Sequence, residues 1–473
     1  MGRVLSVASE AVPLVKTGGL ADVVGALPAA LAGQGWEMRV LLPAYRSLRG
    51  HLDAMVPVLD EPGLWGGPGR VFHGQIEGMG VYLLDAPHLF DREGGPYSGP
   101  GGDWADNIQR FAALSWVGAR MAREGVAGWT PQVLHAHDWQ AGLAPAYLRY
   151  QGAGGVGSVL TIHNIAFQGW APVRALSELR LPASEFHSDA LEYYGNLSTL
   201  KAGMVTADRI TTVSPNYAAE LMRPEFGMGL QGVMAARAEV VSGILNGVDE
   251  GLWSPEAAAH PYSVGRLAGK ARNRAALCAE FGLEVPGPLA ILVSRLTDQK
   301  GIDLLPGAVP AFVAAGGGLA VLGSGDPGLE AALTSLAAAH PGRVSVRIGY
   351  DEGLSHRMFA GGDAVLVPSR FEPCGLTQMY GLRFGTVPVV SAVGGLADTV
   401  INASPAALAA GAATGVVFHP VDGLALGQAL ARLVALYRAP KVWTAVQKAA
   451  MRQPVGWGPS AAAYAALYAG VAG

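Results

Sequence analysis

The sequence predicts an α/β protein made of two doubly wound parallel sheets. Three observations carry this. Short β-branched and aliphatic runs alternate with longer helical patterns in both halves of the chain. The rhythm lapses into a Pro- and Ala-containing stretch at 255–263 and then restarts, so a domain boundary is expected near 244–262. The 473 residues, 50% hydrophobic and only 15% charged, suit two or three tightly packed helix-on-sheet domains.

Composition also narrows the function. A net charge of -4 gives no reason to expect nucleic-acid binding. The two cysteines, Cys278 and Cys374, are far apart and lack metal-ligand spacing, which points to a reducing compartment and away from a zinc site. The amino terminus runs directly into a strand pattern rather than a signal peptide. No apolar run reaches the ~18 residues of a membrane-spanning helix. A cytoplasmic protein without a membrane partner is the expectation.

In the first half, a strand at 3–8 leads into a loop ending Lys16-Thr17-Gly18-Gly19, then a helix at 21–32 closed by Gly33 and Gly35. Glycine amides and a lysine at a strand-to-helix loop suit a phosphate. A flexible glycine turn with a solvated lysine is the competing reading. A strand at 38–42 ends at Pro43, and the Gly- and Pro-rich segment 52–102 reads as hairpins and loops with a strand at 81–84. A helix over 103–123 places Ile108, Phe111, Leu114, Ser115 and Gly118 on one face, and Trp104, Trp116 and Trp129 read as packing residues.

Strands at 132–135 and 159–162 each end in a polar loop, the first carrying His137 and Asp138, the second His163 and Asn164. Parallel strands send such loops to the same edge of the sheet, so His135, His137, His163 and Asp138 form a candidate site. A metal centre is the rival, but no cysteine or second carboxylate completes it. Strands at 209–213 and 241–245 follow, the second ending in Asn246-Gly247-Val248-Asp249.

In the second half, a strand at 289–293 opens a loop flanked by Arg295 and Lys300, a pair suited to a diphosphate, before a helix to about 315. A strand at 319–322 leads into Gly323-Ser324-Gly325-Asp326-Pro327-Gly328, with Asp351 beyond it. This matches the dinucleotide fingerprint, but the strand is the second of its domain and Pro327 starts the helix early. A strand at 344–348 ends at Gly349-Tyr350-Asp351.

A strand at 364–367 then opens the loop Pro368-Ser369-Arg370-Phe371-Glu372-Pro373-Cys374-Gly375-Leu376-Thr377. Its acid stands at the carboxyl end of a strand, where open α/β sheets bind ligands, and its glycine lies at a helix start suited to an anion. Glu372 reads either as a site carboxylate or as a cap for that helix. A strand at 386–391 leads to Gly394-Gly395, a second possible anion nest. A strand at 416–418 and helices at 424–437, 442–451 and 460–469 close the chain.

Taken together, these motifs resemble the bacterial glycogen synthase and plant starch synthase family. The resemblance rests on Lys16 to Val23, His135 to Trp139, Thr161 to Asn164, Thr212 to Pro215, Gly243 to Asp249, Ser294 to Leu296 with Gln299 to Gly301, Pro368 to Gln378, and Gly394 to Val400, all in family order. It implies the GT-B architecture: an amino-terminal Rossmann-like domain over 1–243, a nucleotide-sugar domain over 244–456, and a final helix in 457–473 that returns to the first domain. It also implies transfer of glucose from ADP-glucose to the non-reducing end of an α-1,4-glucan with retained configuration. ADP-glucose is then a substrate and no cofactor or metal is implied.

Residue by residue, the resemblance implies that Lys16 binds the donor and that Arg295 and Lys300 meet its diphosphate. Tyr350 would stack on adenine, and His163, Asn246 and Glu372 would surround the transferred glucose, with Asp138 in the same crevice. Cys374, Gly375, Leu376 and Thr377 would hold sugar and phosphate, and Gly18, Gly19, Asp22 and Tyr97 complete the substrate-binding set. Glu372, His163 and Asp138 are the expected catalytic residues.

The chain departs from the family where Ser391-Ala392-Val393 replaces a basic residue and threonine, where Phe167 replaces a tyrosine, and where Arg274 replaces a lysine. Retention is open to double displacement through a carboxylate or to same-face attack guided by the leaving phosphate. UDP-glucose is the nearest rival donor. A nicotinamide oxidoreductase and a non-catalytic glucan-binding protein are the alternatives from other classes.

Overall fold

The computed structural model describes residues 1–472. Two compact units emerge from its contacts: Met1–Leu245 together with the stretch from Trp457 onward, and Asn246–Gly456.

The first unit is built on a nine-stranded sheet. Its order is Val241–Gly243, Arg209–Thr212, Gly157–Ile162, Val133–His137, Gly2–Val7, Trp36–Pro43, Met79–Asp85, Gly67–Ile76, Val56–Leu64. The first seven run parallel, and the last two are the hairpin foreseen in the Gly- and Pro-rich segment. Strands buried on both faces need near-continuous hydrophobic runs, and Val4, Leu5, Val7 and Val133, Leu134, Ala136 supply them. Gly2–Val7 pairs with Trp36–Pro43 on one side and Val133–His137 on the other, so the strand order reverses there. Loops leaving those two strands flank the place where doubly wound sheets bind ligands.

The helix Trp457–Ala469 packs on the helix Gly19–Ala32. Tyr464 and Tyr468 are completely buried with Trp36, Met38 and Val133 in one apolar cluster. The Tyr468 hydroxyl lies 2.8 Å from Nδ1 of His135.

The second unit is a six-stranded parallel sheet in the order Val344–Ile348, Gly318–Gly323, Leu289–Val293, Ala364–Val367, Val387–Ser391, Val416–Phe418. Its order reverses between Leu289–Val293 and Ala364–Val367. A single apolar core joins those strands to helices Leu305–Ala314 and Gly423–Tyr437.

Some local expectations change. The strand predicted at 132–135 continues through His137, and the one at 241–245 stops at Gly243. The helix Ala268–Phe281 was not foreseen; its apolar positions are sparse, and buried Lys270 and Asn273 stand on its inner face. Lys270 Nζ lies 2.7 Å from the Thr386 hydroxyl and 3.0 Å from the Phe384 carbonyl, so a buried, hydrogen-bonded amine takes the place of an apolar residue. A small antiparallel sheet, Trp170–Pro172, Asn196–Ser198 and Glu192–Tyr193, also gives no clear sequence signal because its strands have two or three residues.

Candidate active site

The glycine fingerprint at Gly323 is not a dinucleotide site. Oδ1 of Asp326 accepts from the amides of Gly328 and Leu329 at 2.8 and 3.1 Å, capping the helix Pro327–Ala339. A carboxylate already fills the position a pyrophosphate would need.

In the second unit, the two loops at the sheet's reversal point meet. The loop after Leu289–Val293 brings Lys300, and the loop after Ala364–Val367 brings Glu372; Nζ and Oε2 are 2.5 Å apart. The Ser369 hydroxyl donates to the same carboxylate oxygen at 2.9 Å. Ser369 is fully buried, and Ser391, at the family departure noted above, donates to its carbonyl at 2.5 Å. Glu372 therefore is not a helix cap: the helix Thr377–Phe384 has Leu376 at its N-cap and no side chain capping it. Gly375, with φ +75°, makes the turn ahead of that helix, a conformation that favours glycine. The uncapped amino terminus at Leu376 and Thr377 keeps its affinity for an anion.

The expected second nest at Gly394-Gly395 is absent. The Gly395 amide donates to the carbonyls of Glu372 and Pro373, and those of Leu396 and Ala397 to Val393. The glycines serve close packing instead. A Cβ on Gly394 would stand 1.9 Å from the Glu372 carbonyl, and one on Gly395 2.2 Å from that of Cys374. The pair therefore holds the Glu372 loop in place.

Around that loop, burial pushes the Cys374 thiol up to about 12, and the Asn246 backbone hydrogen-bonds it. Oδ1 of Asn246 is buried without a partner. Arg295 follows the strand Leu289–Val293 and Tyr350 the strand Val344–Ile348, with Gly318–Gly323 between them in the sheet, and both are exposed, Tyr350 by 80%.

In the first unit, the Lys16 loop is organised by Glu10, a residue outside the motifs named above. The Thr17 and Gly18 amides, expected to meet a phosphate, are engaged by the carboxylate of Glu10. Glu10 also accepts from the Thr17 hydroxyl at 2.6 Å and from the Tyr97 hydroxyl, which lies 2.8 Å from Ser9 Oγ. Glu10 is almost completely buried. Asking which acceptor would hold the Thr17 amide would have found it. Gly18 is the N-cap of the helix that Gly19 begins, and Lys16 pairs with Asp22 of its first turn at 2.7 Å while remaining half exposed.

Asp138 follows directly after the strand Val133–His137. Its φ of +52° is strained for a residue with a side chain, a feature that clusters at functional sites. Its carboxylate accepts from the His163 amide at 2.6 Å and that of Asn164 at 3.4 Å. Burial nonetheless raises its pKa to about 7.

The three histidines separate into two roles. His135 and His137 lie within the strand, on one face, rather than in the loop. His135 is a core residue bonded to Thr161 Oγ1 at 2.6 Å and to Tyr468. His137 bridges Ser6 Oγ at 3.1 Å and Nε2 of His163 at 3.0 Å. Burial lowers the pKa of His135 and His163 to about 3 and that of His137 well below its usual value, so all three rings are neutral at neutral pH. Among the described residues, no three His, Cys, Asp or Glu side chains group as metal ligands.

A family model described as the starch synthase catalytic domain matches residues 3–236, and one described as glycosyl transferases group 1 matches residues 275–448. A glycogen synthase of Cereibacter sphaeroides is 71% identical over 468 residues, covering 99% of this chain and 98% of that protein. The chain belongs to the glycogen synthase and starch synthase family. A glycogen synthase of Paracoccus denitrificans is 62% identical over 475 residues, covering both chains completely. Among solved structures, the catalytic domain of starch synthase IV from Arabidopsis thaliana, bound to ADP and acarbose, matches with a TM-score of 0.86 at 28% identity, covering 100% of both chains. A sucrose-phosphate synthase from Thermosynechococcus elongatus shares the fold at a TM-score of 0.61 and 19% identity, covering 100% of this chain and 99% of that one. The family and its GT-B glycosyltransferase fold agree with the expectation drawn from the motif order. Among the described residues, no helix is long and apolar enough to cross a membrane.

Proposed function

We propose that this glycogen synthase family member transfers glucose from ADP-glucose to the non-reducing 4-hydroxyl of an α-1,4-glucan, retaining configuration and releasing ADP. The observation that carries the reading is the Lys300–Glu372 pair at the reversal point of the second sheet. A cation suited to a diphosphate stands there beside a carboxylate suited to a sugar hydroxyl, next to an uncapped helix terminus. The Arabidopsis relative's bound ADP and acarbose support a nucleotide and a glucan-like ligand here.

The reaction breaks the bond between the anomeric carbon and the phosphate oxygen. The electron pair leaves with ADP, and positive charge develops on the ring. In the second unit, Lys300, Arg295 and the helix start at Gly375, Leu376 and Thr377 stabilise the departing diphosphate; in the first unit, Lys16 is the donor-binding lysine. Tyr350 stacks on adenine. Gly18, Gly19, Asp22 and Tyr97 shape the Lys16 loop against the donor. Asn246, with its unpartnered Oδ1, and neutral His163 hold glucose hydroxyls, and Asp138 orients the His163 loop.

Glu372 already accepts from Lys300 and Ser369 through one oxygen, which lowers its nucleophilicity and favours same-face attack over a covalent glucosyl intermediate. The acceptor proton then passes to the departing phosphate. ADP-glucose is a substrate, and the step needs no redox cofactor. The enzyme works in the cytoplasm without nucleic-acid or membrane partners.

The test is chain extension. With ADP-glucose and glycogen, one ADP is expected for each glucose added, in α-1,4 linkage, and quenched turnover mixtures carry no glucosyl adduct on Glu372 or Asp138. ADP release without polymer growth would contradict the acceptor assignment, and a trapped adduct would contradict same-face attack.

A further inference from the structure

We propose that the aromatic row Trp170–Tyr193–Tyr194 in the first unit is a docking site for the neutral α-glucan chain, its exposed rings stacking on the apolar faces of glucose units. The inference rests on the acceptor reading above. Trp170 and Tyr194 are 62% and 75% exposed, on either side of the buried Tyr193. The Trp170 and Tyr193 ring centroids are 5.9 Å apart, and those of Tyr193 and Tyr194 are 4.7 Å apart. Exposed aromatic surface of this kind, on a sheet with two- and three-residue strands, costs solvation and marks an interaction surface.

The row is rigidly built. Nε1 of Trp170 donates to Oε1 of Gln168 at 3.0 Å, and Nε2 of Gln168 donates to the Met228 carbonyl at 3.0 Å. The Tyr193 hydroxyl donates to that same carbonyl. Tyr194 has φ +48° and Met228 φ +47°, both in the left-handed region that bulky side chains avoid. Two strained non-glycine residues at one surface patch are the pattern of a functional site.

The polar groups that hold the row suit an uncharged ligand. The groups that fix Trp170 and Tyr193 are neutral, an amide side chain and a backbone carbonyl. The nearby Lys201 ammonium is taken up by the carbonyls of Ser188 and Glu192 at 2.5 Å. An anionic ligand would find no free cation in these contacts, whereas a neutral sugar chain needs only flat apolar faces and hydroxyl partners such as Tyr and Trp edges offer. In the sequence Trp170 directly follows Gly169, which closes the loop that begins at His163.

The test is electrophoresis of the full chain in native gels with and without glycogen, and without donor, for the wild type, Trp170→Ala and Tyr194→Ala. Both side chains are exposed, so folding should be retained, checked by unchanged Tm. The expected result is loss of most of the glycogen-dependent retardation. In labelled-transfer assays the KM for glycogen should rise roughly tenfold, the effect of one lost stacking contact, with KM for ADP-glucose and kcat at saturating glycogen within about twofold. Unchanged retardation in both variants, while the wild type elongates glycogen, would overturn the platform and leave the transferase reading standing. A changed oligomeric state with unchanged retardation would make the row a contact between copies and would also overturn it. Failure of the wild type to elongate glycogen would instead strike the proposed function.

Discussion

Nζ of Lys300 and Oε2 of Glu372 are 2.5 Å apart, joining the two loops that leave adjacent strands where the order of the second sheet reverses. Both side chains are largely shielded from water. In the free protein the pair neutralises itself. In the proposed reaction a donor diphosphate would draw the lysine towards its own charge and leave the carboxylate to face the sugar.

Lys300→Ala therefore removes the proposed leaving-group contact and leaves Glu372 with Ser369 alone. A fall in kcat by about 10²–10³-fold is expected, with circular dichroism unchanged. Arg295→Ala should fall comparably and with less effect on Tm, since Arg295 is exposed. Near-wild-type turnover in both variants would remove the diphosphate assignment.

Glu10 organises the Lys16 loop through Thr17, Gly18 and Tyr97. Glu10→Ala leaves the buried Tyr97 hydroxyl with Ser9 alone and loosens the Thr17 turn. Loss of a charged hydrogen-bond acceptor costs about 1.5–3 kcal/mol, so a lower Tm and a raised KM for the donor are expected from thermal melts and initial rates. Tyr97→Phe removes one of these bonds and should show a smaller version of both effects.

Asp138 provides a pH signature. Burial holds its folded pKa near 7, above an ordinary 3.8. The native state thus binds more protons between those values, and stability falls as pH rises through that window. One pKa unit corresponds to ~1.4 kcal/mol. Asp138→Asn removes the penalty, so the variant should gain more in Tm at pH 8 than at pH 5, while losing activity because the carboxylate is gone. A Tm difference that does not change with pH would contradict the buried-carboxyl assignment.

Gly394→Ala tests the packing role of the second glycine pair. A Cβ there meets the Glu372 carbonyl at 1.9 Å on a backbone of φ +41°. The Glu372 loop must shift, and a mispositioning of ~1 Å can cost about 10²-fold in rate. Wild-type kcat in this variant would show that the loop tolerates displacement.

Both parallel sheets were legible in the sequence because strands buried on two faces are written as apolar runs bounded by glycine, proline or polar loops. The strand Val344–Ile348 was located to the residue, as was Val416–Phe418. Alternation alone does not order strands, so the reversal points that bring Lys300 to Glu372, and Ser6 to His137, emerged only from the fold. Glycine-rich turns were ambiguous for a physical reason. The same residues that open a phosphate nest also permit close backbone packing, which is how Gly394 and Gly395 act. Anion-binding amides can likewise be filled from within, as Glu10 does at Thr17 and Asp326 at Gly328. The split among the histidines was hidden because a strand's end cannot be told from its continuation when His and Ala alternate.

The claim that this chain moves glucose from ADP-glucose onto glycogen is tested most directly by incubating it with glycogen primer and either ADP-[14C]glucose or UDP-[14C]glucose, and counting label in precipitated polymer. The account predicts rapid incorporation from ADP-glucose, at least an order of magnitude above UDP-glucose, and its loss in Lys300→Ala. Preferential incorporation from UDP-glucose would contradict the donor assignment, and no incorporation from either would contradict the proposed reaction.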